Sequence, residues 1–115
     1  MKNEIESSLK ESISIKTELL SNSVDSIIKI ANILVEAFRT GHSLYLMGNG
    51  GSAADAQHIS GELVGRFKKN RKPLPALALT TDTSVLTAIA NDFGYDKSFE
   101  RQADAFVKDG DVVIG

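Results

Sequence analysis

His58, Glu62 and Arg66 stand four residues apart in this 115-residue chain, and on a helix that interval stacks all three along one stripe. An imidazole and a carboxylate on successive turns are suited to moving a proton or ligating a metal. A packed or surface histidine with a solvated glutamate partner is the plain alternative, and spacing alone does not separate the two. Arg66 would add a planar, permanently charged group able to meet a sugar phosphate. The neighbourhood favours chemistry, because a glycine turn, His58 and Glu62 fall within the fifteen residues from Gly48 to Glu62.

These side chains need a strand, a turn and a helix to position them. Leu44-Tyr45-Leu46-Met47 is a short continuous apolar run, as expected of a strand buried on both faces of a parallel sheet. Gly48, Gly50 and Gly51 permit backbone conformations closed to other residues and close approach of a ligand. Ser52 is placed to cap a helix whose inward face is Ala53, Ala56, Ile59, Leu63 and Phe67. Unpaired amides and the helix dipole make such a start an anion site, pointing to phosphate or a polyhydroxylated ligand. The sequence GNGGS matches neither the P-loop nor the dinucleotide fingerprint, so a purely structural turn is the competing reading.

Upstream, Ile5, Leu9, Ile13 and Leu20 form a thin apolar stripe on a helix from Glu4 to Leu20, ended by Ser21-Asn22-Ser23. A second helix starts at Val24 and holds its period through Phe38 up to Gly41. Residues 1–40 are therefore expected to be helices that pack between subunits, since so polar a helix needs a partner surface. Downstream, the basic run Lys68-Lys69-Asn70-Arg71-Lys72 reads as a solvated loop rather than a nucleic-acid patch. Ala76–Leu79 is a second strand, Ser84–Ala90 a helix ending in the turn-forming cluster Asn91–Tyr95, Ser98–Val107 another helix, and Asp111–Gly115 a third strand. Alternating strands and helices imply an α/β fold: a parallel sheet with flanking helices, three strands following two N-terminal helices.

Composition excludes several classes. The chain is 42% hydrophobic with a net charge of -2, which offers no general attraction to nucleic acid or anionic membrane. It has no cysteine, no apolar run of membrane-spanning length and a charged N-terminus unlike a signal peptide, so a cytoplasmic setting is expected.

The stretch GNGGSAADAQHISGELVGRF, followed by ALTTDTSVLTAIANDFGYDKSFERQ, resembles the phosphoheptose isomerases of the sugar isomerase (SIS) fold, from about Gly41 to Gly115. The resemblance implies a flavodoxin-like doubly wound sheet and a homotetramer with active sites between subunits. It implies one SIS domain over residues 1–115, without the C-terminal portion that carries a second phosphate loop and two further metal ligands. Asn49, Gly50 and Gly51 fall on a substrate-binding turn with Ser52 beside it, and Asn91 and Asp92 on another substrate-contacting pair. His58 and Glu62 fall on zinc ligands, and Glu62 also on the catalytic acid/base.

The implied reaction converts sedoheptulose 7-phosphate to D-glycero-D-manno-heptose 7-phosphate through an enediol, for heptose and lipopolysaccharide core biosynthesis. That chemistry needs a base near the carbon and a hold on the phosphate tail. Glu62, the only acidic residue on the stripe beside the glycine turn, is the candidate base. Two other readings stay open: a non-catalytic SIS binding protein, such as the replication-initiator-associating regulators, whose matching position is not acidic, and a phosphosugar-sensing module.

Overall fold

The computed structural model describes residues Met1–Gly115, which divide into two compact units, Met1–Ile33 and Leu34–Gly115. In the first, helix α1 (Lys2–Asn22) buries no side chain at all. Its stripe residues Ile5, Leu9, Ile13 and Leu20 are 56%, 60%, 64% and 73% exposed. The chain is thus helical where the period predicts, but with an apolar stripe that has no core beneath it.

Helix α2 (Val24–Arg39) closes where Gly41, at φ 84, lets the His42 amide turn back to the Ala37 carbonyl at 2.8 Å. Strands β1 (Leu44–Leu46), β2 (Ala76–Ala78) and β3 (Val112–Ile114) form a parallel sheet of order β2-β1-β3. Leu44 pairs with Ala76 on one side and Val112 on the other. Central β1 is the most buried, with Leu44 and Leu46 each 1% exposed, as its uninterrupted apolar run requires. They join Ala56 of α3 (Gly51–Val64) and Ala78 in the core, flanked by Leu34, Phe38 and Leu63.

Between the strands run α4 (Thr83–Phe93), capped by Asp82 through the Val85 amide at 2.9 Å, and α5 (Ser98–Phe106). A carboxylate fixes the register of β3: Asp111 accepts from the Ser43 amide at 2.7 Å and the Lys108 amide at 2.8 Å. Those two bonds hold its carboxyl below the ordinary carboxylate range.

Candidate active site

The glycine turn sits at the carboxyl end of β1, where α/β sheets place their ligands. Gly48 is required by space, because a Cβ there would lie 2.7 Å from Ser52 Cβ and 2.9 Å from Ser52 C. Gly50 is required by conformation, at φ 56. It is Gly50 that stands at the N-cap of α3, with no side-chain hydrogen bond. Ser52 is therefore not the cap expected of it; it lies in the first turn, its amide donating to the Asn49 carbonyl at 3.0 Å. The Ala54 amide turns back to the Gly50 carbonyl at 3.3 Å, and a helix start without a side-chain cap leaves the remaining first-turn amides, those of Gly51 and Ala53, for water or a ligand.

About two turns along α3, His58 and Glu62 do share a stripe. His58 Nε2 lies 3.5 Å from Glu62 Oε1, long for a hydrogen bond, with the side chains 74% and 36% exposed. Both line a cleft of about 440 Å³ whose walls include Leu44, Ile59, Leu63 and Ile114. A smaller hollow of about 160 Å³, lined by Ser52, Asp55 and Met47, shares Ile59 and Ile114 with it. Ser52, just after the turn, and the His58–Glu62 pair thus open onto adjoining spaces along one helix.

Arg66 does not join them. Helix α3 stops at Val64, Gly65 turns away at φ -81 and ψ -118, and Arg66 is exposed beyond the helix end. Phe67, expected on the inward face, is 67% exposed. Arg71 does what spacing assigned to neither: its guanidinium donates to the Leu63 carbonyl at 2.8 Å and the Glu62 carbonyl at 2.9 Å. It thereby satisfies the Glu62 carbonyl at the helix C-terminus, shares the Leu63 carbonyl with the Leu74 amide at 3.0 Å, and supplies the cation that lines the cleft.

Asn91 and Asp92 lie in the last turn of α4, not in a loop, with the Asn91 amide donating to Asp92 at 3.1 Å. They line neither hollow, but the corner they open returns to the glycine turn, where Tyr95 hydroxyl donates to the Asn49 side chain. Further along, Lys97 is held above its ordinary range by its hydrogen bond to Glu100 at 2.6 Å.

The donors fit half of a metal site. Two ligands on a tetrahedral zinc stand about 3.4 Å apart, given metal–ligand bonds near 2.1 Å, and the His58–Glu62 separation of 3.5 Å matches that spacing. Nowhere in the chain do three His, Cys, Asp or Glu side chains gather for an ion.

A family model of the SIS domain matches residues 9–115. The chain belongs to the SIS domain family. This SIS chain is 54% identical over 106 residues to the phosphoheptose isomerase of Aquifex aeolicus (strain VF5), covering 92% of itself and 56% of that protein. It is 50% identical over 117 residues to the phosphoheptose isomerase of Clostridium acetobutylicum, covering 100% of itself and 60% of the relative. Among solved structures, the phosphoheptose isomerase from Neisseria gonorrhoeae superposes with a TM-score of 0.91 at 38% identity, over 99% of this chain and 59% of that one. The phosphoheptose isomerase from Francisella tularensis superposes with a TM-score of 0.93 at 32% identity, over 97% and 59%. The SIS chain thus spans 56% to 60% of the length of these curated relatives.

Proposed function

We propose that this SIS chain takes part in isomerising sedoheptulose 7-phosphate to D-glycero-D-manno-heptose 7-phosphate, for heptose and lipopolysaccharide core biosynthesis. The observation that carries the reading is the Glu62 carboxylate, set beside His58 in an apolar-walled cleft on the helix that the glycine turn begins. Moving a carbonyl between adjacent carbons requires a base to remove the proton from the hydroxyl-bearing carbon and return it to its neighbour. Glu62 Oε1 faces His58, which leaves Oε2 for that proton. The first-turn amides and Asn49, Gly50, Gly51 and Ser52 would bind the polyhydroxylated substrate, with Asn91 and Asp92 contributing from the α4 corner. Arg66, exposed and off the stripe, would serve only as a distal contact for the phosphate.

His58 and Glu62 are proposed as two zinc ligands, the others coming from outside these residues; when bound, the ion would supply Lewis acidity to the carbonyl end of the substrate. The exposed stripe of α1 supports homo-oligomer packing through residues 1–40, a tetramer by likeness to the family. No helix is long and apolar enough to cross a membrane, and a sugar phosphate substrate fits a cytoplasmic setting. The non-catalytic binding reading is not favoured, since Glu62 is acidic and the relatives above carry an isomerase name.

The test is Glu62→Gln in the full chain, read by deuterium incorporation from D₂O at the reacting carbon of sedoheptulose 7-phosphate. Loss of a general base lowers the rate by ~10² to 10⁴, while binding stays measurable. Normal exchange in the Gln variant would assign the base elsewhere.

A further inference from the structure

Tyr95 and Asn49 are 46 residues apart, yet the tyrosine hydroxyl donates to the Asn49 side-chain oxygen. Asn49 lies in the glycine turn, while Tyr95 follows the α4 corner that holds Asn91 and Asp92, so this bond links two segments proposed to bind substrate. The corner is built to aim the ring. Gly94, at φ 99, bends the chain after Phe93 in a conformation that side chains rarely adopt. Behind it, the Arg101 guanidinium lies 4.0 Å over the Phe93 ring. Buried Gln102 of α5 donates to the Leu79 carbonyl at 3.1 Å and the Ser98 carbonyl at 2.9 Å, fastening α5 to the end of β2. Tyr95 is thus an arm of two torsions on a fixed base.

Both members of the pair are exposed, and an exposed neutral hydrogen bond adds little net stability. What it does fix is a direction. An asparagine amide has two faces of opposite polarity, and its terminal torsion is broadly two-fold when unconstrained. With Oδ1 engaged by the tyrosine, both Nδ2 hydrogens are left for an acceptor.

We infer that Tyr95 is a positioning residue: it locks the Asn49 amide with its NH₂ group toward the ligand, so that the glycine turn recognises an oxygen acceptor of the substrate, a hydroxyl or phosphate oxygen. The inference deepens the isomerase reading and rests on it. It predicts that Tyr95 acts only through Asn49, on binding rather than on the chemical step.

The experiment is a double-mutant cycle in the full chain with Tyr95→Phe, Asn49→Ala and the pair together, alongside side-chain amide NMR of the ligand-free chain. Tyr95→Phe should raise KM for sedoheptulose 7-phosphate about 3- to 10-fold, as for loss of one hydrogen bond, with kcat within about twofold. In the Asn49→Ala background the same change should add nothing, because its target is gone. Without ligand, the Asn49 Nδ2 resonances should shift in Tyr95→Phe while the backbone amides of Gly48 to Ser52 stay in place. Multiplying losses in the double variant, or an unmoved Asn49 amide, would overturn the inference. A wild-type chain that neither binds nor turns over the sugar phosphate would instead overturn the isomerase reading, and the ligand-free spectra would still decide whether Tyr95 holds Asn49.

Discussion

Gly51→Ala separates the structural need for glycine from the ligand's need. A Cβ built on Gly51 meets nothing within 4 Å, and Gly51 is not among the glycines with positive φ. In the free chain the methyl is therefore unopposed. Alanine is favoured over glycine within a helix by ~0.5 to 1 kcal/mol. Gly51 opens α3, where the amide has no intrahelical partner, so the lower figure of ~0.5 kcal/mol applies, which raises Tm by about 2–3 °C for a chain of this size.

Ligand binding should move the other way. If substrate oxygens approach this backbone, the methyl occupies their space, and loss of one such contact costs ~1 to 3 kcal/mol, or about 5- to 150-fold in Kd. Thermal melts and calorimetric titration with sedoheptulose 7-phosphate read the two effects on one sample. Neighbouring positions cannot divide them: Gly48→Ala would drive into Ser52, and any side chain at Gly50 strains a backbone at φ 56. A more stable Gly51→Ala with wild-type affinity would refute close ligand approach to the turn.

Two further outcomes test the supports of the site. Arg71→Met should cost ~1 kcal/mol by leaving the Glu62 carbonyl to water and the Leu63 carbonyl with the Leu74 amide alone, lowering Tm by about 4–5 °C, and Arg71→Lys should recover less than half, since an ammonium lacks the planar fork that meets both acceptors at once; an unchanged Tm in the Met variant would refute the cap. Asp111, whose carboxyl is held low by the Ser43 and Lys108 amides, stabilises the fold above its unfolded-state pKa, and that stabilisation is lost as pH falls through the folded-state value. Asp111→Asn should therefore flatten the decline of Tm below about pH 4, and an acid limb as steep as wild type would refute it.

The sheet was legible because each strand is a short apolar run between turn residues, Leu44–Met47 and Ala76–Leu79 of four residues each and Val112–Ile114 of three. The pairing of His58 with Glu62 was legible too, since both fall before α3 ends at Val64. Arg66 and Phe67 were not, because their spacing continues the helical period past Gly65, while the backbone leaves the helix there and Arg71 takes up carbonyls eight and nine residues back. Periodicity records which residues would share a face if the helix continued; it does not record what ends it. Ser52 misled for a related reason: serine is a good cap, but Gly50, at φ 56, takes the cap position and Ser52 falls two residues inside the helix. Tyr95 gave no local signal at all, since its partner is 46 residues away.

The sheet order carries a consequence for how the chain folds. Central β1 can gain neither neighbour by a hairpin, and the chain from Leu44 to Val112 is about twice as long as that from Leu44 to Ala76. Each doubling of a closing loop adds ~0.6 kcal/mol of entropic cost, so β1 and β2 should meet before β3 docks. The segment enclosed by that earlier, shorter closure is α3 with His58 and Glu62. The carboxylate and its imidazole neighbour would then be in register before Ile114, the far wall of their cleft, arrives.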